Sequence, residues 1–151
     1  MTKDELIPVA KAGAATFDLD SALVCAIVQR ESSWDVNVAP RFEPDYKEKY
    51  IDPMGLPEPE ATQRATSWGL MQLMGESARE SGYFGPLPNL QIPEVGLYWG
   101  CKWLKKKIDK ARGDIEQALL LWNGGANHHY PDEVMTIAWE YRESKGTGED
   151  S

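Results

Sequence analysis

Three short segments hold side chains whose type and spacing could do chemistry. The first ends at Glu31. Leu23, Ile27 and Glu31 recur at i, i+4 and i+8, with Val24 and Val28 beside them, so Glu31 continues the apolar face of a helix. It also falls at the C-terminal end of that helix, where the dipole disfavours negative charge. Burial and the dipole both push a carboxyl pKa upward, and a carboxyl kept protonated near neutral pH is what a general acid requires. The competing reading is a structural glutamate paired with Arg30 or Arg79, because buried Glu is rare unless paired.

The second segment is Ser67-Trp68-Gly69-Leu70-Met71-Gln72-Leu73-Met74. Gly69 allows a tight turn or a close backbone approach. Gln72 sits inside an apolar run, and its amide needs partners if buried, which hydroxyl or acetamido groups of a sugar would supply. The alternative is the start of a helix packed with Met. The third is Leu119-Leu120-Leu121-Trp122-Asn123-Gly124-Gly125. A Trp ring face beside an Asn amide at a helix end suits a sugar platform. The same residues also suit a core Trp with a glycine C-cap.

These segments need elements to hold them, and the pattern supplies helices. Apolar periodicity predicts helices over residues 4–15 and from a cap at Asp18 or Asp20 to about Glu31. Further helices are expected over 57–66, over 73–81 and from Pro93, where Leu97, Cys101, Leu104, Ile108 and Ala111 keep steps of four and three. Asp114 to Gln117 resembles a capping box before a helix at 118–122, and Pro131 opens a last one to about Arg142. Alternating apolar runs are missing, so the expectation is one all-α domain over 1–145 with a flexible polar tail at 146–151.

Composition limits the partners. The chain has 151 residues, enough for one domain with a core of its own. Six Trp, six Tyr and three Phe argue against general disorder. The 16 basic against 24 acidic residues leave a net charge of −8, which argues against nucleic acid and against adhesion to an anionic membrane. The basic cluster at Lys105, Lys106, Lys107, Lys110 and Arg112 reads as a solvated face near a helix C-terminus. No apolar run is long enough for membrane insertion, and no signal peptide is visible. Cys25 and Cys101 are expected to be buried free thiols. The adjacent pair His128-His129 lacks metal-ligand spacing, so neither metal nor cofactor is expected.

Taken in order, Glu31-Ser32 at a helix end, Gly69-Leu70-Met71-Gln72, and Asn123-Gly124-Gly125 at a helix end resemble the catalytic domain of soluble lytic transglycosylases. The resemblance spans about residues 17–134. It implies a goose-type lysozyme-like helical fold. It also implies cleavage of the β-1,4 bond between N-acetylmuramic acid (MurNAc) and N-acetylglucosamine (GlcNAc) in peptidoglycan, leaving 1,6-anhydro-MurNAc ends. Carried onto this chain, the resemblance makes Glu31 the single acid/base, followed by Ser32 of the motif. Gln72 and Met74 would line the sugar groove, Asn123 would orient the site, and Tyr130 matches the family's C-terminal Tyr. Trp122 stands where the family usually has Tyr, so a hydroxyl expected near the acid is missing. The Ser-Pro segment that usually follows Glu-Ser is replaced by a longer insertion at residues 37–66.

That insertion is rich in proline, aromatics and charge over residues 37–56, and loops of this length are often functional. Phe42, Tyr46 and Tyr50 are spaced by four, with Pro44 suited to a first helical turn. They form either a satellite hydrophobic cluster or a wall from which Tyr46 or Tyr50 supplies the hydroxyl that Trp122 lacks. A hydrolytic goose-type lysozyme is the alternative enzyme, with a second carboxylate from Asp35, Glu43, Asp45 or Asp52. A non-catalytic glycan-binding or phage structural domain is the alternative of another class. The compact architecture suggests a monomeric phage or prophage lysis protein, similar to an endolysin, made in the cytoplasm and acting on the cell wall.

Overall fold

The computed structural model describes residues 1–146 of the chain; the remainder of the expected tail, 147–151, lies outside the described residues. Helix α1 (Lys3–Thr16) starts with a full capping box, in which Glu5 N–H donates to the Thr2 hydroxyl and Thr2 N–H donates to the Glu5 carboxylate. Helix α2 (Ser21–Ser32) is capped by Asp20, whose Oδ1 accepts from Ala22 N–H at 3.0 Å. Of the two candidate caps the chain therefore uses Asp20, while Asp18 takes a left-handed backbone in the preceding turn.

Helix α2 is the axis of the domain. Every residue from Ala22 to Val28 is buried, so the helix is apolar all round and must be enclosed. Helices α1, α6 (Pro93–Lys110) and α8 (Tyr130–Gly146) surround it, with Leu6, Leu97, Leu104, Val134 and Ala138 in one continuous core. Cys25 and Cys101 are not joined by a disulfide and are buried within it, and burial pushes the Cys101 thiol up to about 12. Helix α7 (Ile115–Asn123) begins three residues before the expected start, capped by Asp114 Oδ1 accepting from Gln117 N–H. It ends at Gly124 and Gly125, both with positive φ, and Gly125 N–H returns to the Leu120 carbonyl.

The second half of the architecture lies between α2 and α6. Here the purely helical expectation needs one addition, a small antiparallel sheet. Strands β1 (Arg41–Phe42), β2 (Thr66–Trp68) and β3 (Leu73–Met74) pair in that order. Arg41 lies opposite Ser67, Ser67 opposite Met74, and Trp68 opposite Leu73. The helix expected over 73–81 is shortened to α5 (Gly75–Glu80), because Leu73 and Met74 are taken by the strand. Between β1 and β2 the insertion coils through α3 (Pro44–Tyr46), a wide turn at Lys47–Ile51, a tight turn at Asp52–Met54, and α4 (Glu60–Arg64).

Ion pairs rivet the insertion to the body. Glu60 accepts from Arg64 Nε at 2.6 Å and from Arg79 Nε at 2.8 Å, and Arg64 also reaches Glu76. Arg79 further donates to the carbonyls of Tyr83 and Gly85. The two guanidinium groups, Arg79 foremost, hold the Glu60 carboxyl down at about 2. Ile51, Ala61 and Ala65 form a small buried cluster beneath Tyr46.

Candidate functional site

Glu31 is the next-to-last residue of α2 and opens into a cleft of about 520 Å³. The cleft walls come from four directions: Arg41, Glu43 and Tyr46 of the insertion; Ser67, Gln72 and Met74 of the β2–β3 hairpin; Trp103 and Lys107 of α6; Trp122 and Asn123 of α7. Burial raises the Glu31 pKa, while a Tyr130 hydrogen bond and the charges of Arg30 and Arg41 oppose the rise. Neither arginine that the sequence offered as a partner pairs with it. Arg30 donates to Glu133 at 2.7 Å and Arg79 is held by Glu60.

The hydroxyl beside the acid comes from Tyr130. Its Oη donates to Glu31 Oε2 at 2.7 Å, although 99 positions separate the two residues. The short turn after α7 starts α8 at Tyr130, directly under the end of α2. Tyr130, expected as the family's C-terminal Tyr among the substrate-binding residues, is 1% exposed and forms no part of the cleft wall; its hydroxyl is engaged by Glu31 instead. Burial and the neighbouring carboxyl raise its pKa far above the physiological range, so it remains a donor. The Trp122 side chain is a further polar neighbour of the same hydroxyl. The hydroxyl at Glu31 is thus the one expected from the family's C-terminal Tyr, while position 122 presents an indole in place of a phenol.

The hairpin explains the second motif. Gly69 has φ +76°, and a Cβ there would lie 2.3 Å from the Leu90 carbonyl oxygen. Both reasons for a glycine, turn and close approach, therefore apply at once. Gln72 also adopts a left-handed backbone (φ 51°), and its main-chain N–H and side-chain Nε2 both donate to the Gly69 carbonyl at 2.9 Å. The motif is a tight hairpin turn, not the start of a helix. Gln72 lines the cleft from this turn. Leu70 and Met71 are buried on the other side.

Other expectations divide. Met74, Trp122 and Asn123 line the cleft, and Asn123 Nδ2 is buried there without a hydrogen-bond partner among the described residues. Ser32 does not line it; its hydroxyl is buried and donates to the Val28 carbonyl at 2.9 Å. Tyr46 lines the cleft, whereas Tyr50 is 53% exposed and lies behind it, with ring centroids 5.0 Å apart. The wide turn after Tyr46 and the sheet position of Phe42 break the single stripe that a regular helix would have made. Burial lifts the Tyr46 phenol to about 12. Of the four acids considered as a second carboxylate, Glu43 alone lines the cleft, and it accepts from Arg41 at 2.8 Å.

Residues 8–135 match the Transglycosylase SLT domain. The chain belongs to that family. The mostly helical, lysozyme-like architecture is the one such an SLT domain has. A relative described as a transglycosylase, from Enterobacteria phage PRD1, is 30% identical over 132 residues. The match covers 82% of this chain and 39% of the relative, so the SLT domain spans well under half the length of that phage protein. No solved structure matches the chain.

Proposed function

We propose that this SLT domain is a peptidoglycan lytic transglycosylase with Glu31 as its sole acid and base, acting on GlcNAc–MurNAc strands as a monomer. The observation that carries the proposal is one carboxyl at the end of a buried helix, raised in pKa, facing a cleft and held by a tyrosine donor. In the forward step the protonated Glu31 gives its proton to the glycosidic oxygen as the bond to the MurNAc anomeric carbon breaks. The substrate acetamido group stabilises the positive charge on that carbon. The resulting Glu31 carboxylate, steadied by Tyr130, then takes the proton from the MurNAc C6 hydroxyl. That oxygen bonds to the anomeric carbon and closes the 1,6-anhydro ring. Glu31 returns to its protonated state and no water is consumed. Substrate assistance of this kind removes the need for a second carboxylate.

The cleft supports the substrate class. Trp122 and Tyr46 offer ring faces, and the Gln72 carbonyl with the unpartnered Asn123 amide offers an acceptor and a donor for hydroxyl or acetamido groups. The phage origin of the relative supports a role in breaching the bacterial wall. Glu43 supports a second reading, hydrolysis by a water positioned between it and Glu31. Mass spectrometry of digested peptidoglycan separates the two. Anhydro ends, lighter by one water than reducing ends, are expected from wild type and from Glu43→Gln, and no products from Glu31→Gln. Reducing ends that disappear in Glu43→Gln would establish hydrolysis instead.

A further inference from the structure

The SLT domain has one cleft feature that the acid/base step does not use. Trp103 and Lys107 are i and i+4 on α6, and both face the cleft. The Lys107 ammonium lies over the Trp103 ring, 4.0 Å from its centroid. Trp103 is 9% exposed, packed against Trp68, Leu73 and Leu87, so the platform is fixed. The other cationic residue of the cleft wall, Arg41, is paired with Glu43. Lys107 has no carboxylate within ion-pairing distance among the described residues. Glu80 is near enough to act on it by charge, and so are Lys106 and Lys110, while burial lowers its pKa. A partly buried, positioned cation without an ion pair is unusual in a chain of net charge −8.

We infer that Lys107, held on Trp103, binds a carboxylate of the glycan substrate and makes the cleft prefer acidic strands over neutral ones. The inference rests on the proposed peptidoglycan function and adds a specificity-determining residue to it. The carboxylate has two sources in such a substrate: the lactyl group of an unsubstituted MurNAc, or the acidic residues of a stem peptide. A lysine restrained on an indole face loses less freedom on binding an anion than a free one. The ammonium rests on the ring face and keeps its N–H donors for an incoming anion.

Binding to the inactive Glu31→Gln chain tests this without turnover, using calorimetry with three tetrasaccharides. One is a GlcNAc–MurNAc strand without peptide, one is the same strand with stem peptides, and one is neutral chitotetraose. The expected result is a preference of roughly tenfold or more for an acidic strand over chitotetraose, the scale of a charge-assisted hydrogen bond. Adding Lys107→Met, which keeps the contact with Trp103, should abolish that preference, and Lys107→Arg should restore most of it. Preference for the peptide-free strand assigns the lactyl group, and preference for the stem-bearing strand alone assigns the peptide. A preference unchanged in Lys107→Met overturns the inference, as does equal weakening for acidic and neutral glycans, which would mean lost packing. If wild type cleaves peptidoglycan while the preference is unchanged, only this inference falls. If the chain neither binds any of the three nor cleaves, the proposed function falls with it.

Discussion

Tyr130→Phe removes one oxygen from the most informative contact of the site. The ring is retained, so the buried space under α2 remains filled. What disappears is the 2.7 Å donor to Glu31 Oε2. This bond favours the carboxylate form and opposes the rise that burial imposes on Glu31. Its removal therefore raises the Glu31 pKa further. A general acid works while protonated, so the alkaline limb of the pH–rate profile should move to higher pH. Turnover itself should fall, because the carboxylate formed after bond cleavage loses its stabilising donor. A hydrogen bond to a charged group is worth about 1.5–3 kcal/mol, or roughly a 10- to 100-fold loss in kcat. The cost in stability should be smaller, about 1 kcal/mol, because solvent in the cleft can reach Glu31; that lowers Tm by roughly 2–4 °C for a chain of this size. The assay is release of soluble muropeptides from purified peptidoglycan across pH, with melting curves under the same conditions. An alkaline limb that stays in place or moves down would refute the argument. Full activity at every pH would show that Tyr130 only fills space.

Glu31→Gln should reduce peptidoglycan cleavage by at least about 10²-fold, as expected for a lost general acid. The same variant should be more stable than wild type at neutral pH and equal to it at low pH. The sign follows from a folded pKa raised above the unfolded one: below the unfolded value of 4.5 both states are protonated, and wild-type stability is lost progressively as pH rises from there through the raised folded value. Glu60→Gln should do the reverse, losing about 1–2 kcal/mol at pH 7 in urea melts, with the difference fading as pH falls from the unfolded value of 4.5 through about 2. Asn123→Ala should raise KM for glycan without lowering Tm, since its buried amide donor is unpartnered and its removal relieves a desolvated group. Gly69→Ala should cost several kcal/mol or prevent folding, measured by expression and thermal melting, because its Cβ would meet the Leu90 carbonyl at 2.3 Å.

The sequence made some of this legible and hid the rest for physical reasons. Helix α2 could be read from a cap at Asp18 or Asp20 and its unbroken apolar run, and with it the placing of Glu31. The turn at Gly124 and Gly125 could be read from the glycines themselves. The sheet could not, because strands of two or three residues are too short to show an alternating pattern. Gln72 resembled a helix residue for the same reason. Only the approach of Leu90 and the left-handed backbone reveal that Gly69 to Gln72 is a hairpin turn. Lys107 sat in a run of lysines that reads as a solvated face. Which member of such a run faces a cleft depends on what packs beside the helix, here the hairpin and α5. The Tyr130–Glu31 contact depends on the packing of α8 under α2, which no local pattern encodes.

The packing around Glu31 also explains how a glutamate beside arginines can serve as an acid. Arg30 is its neighbour in sequence, and an ion pair there would have held the carboxyl ionised. Glu133, one turn into α8, takes the Arg30 guanidinium instead, and that guanidinium lies over the Tyr130 ring, 5.6 Å from its centroid. Arg79 is likewise committed to Glu60. With both arginines engaged elsewhere, burial outweighs their charges and raises the Glu31 pKa. Helix α8 thus contributes twice to the same carboxyl. Glu133 withdraws a cation that would hold the acid ionised, and adds a negative charge that raises its pKa. Tyr130 supplies a neutral donor that limits the rise. A neutral donor suits both halves of a single-carboxylate reaction. It steadies the carboxylate after proton transfer without the fixed positive charge that would prevent reprotonation.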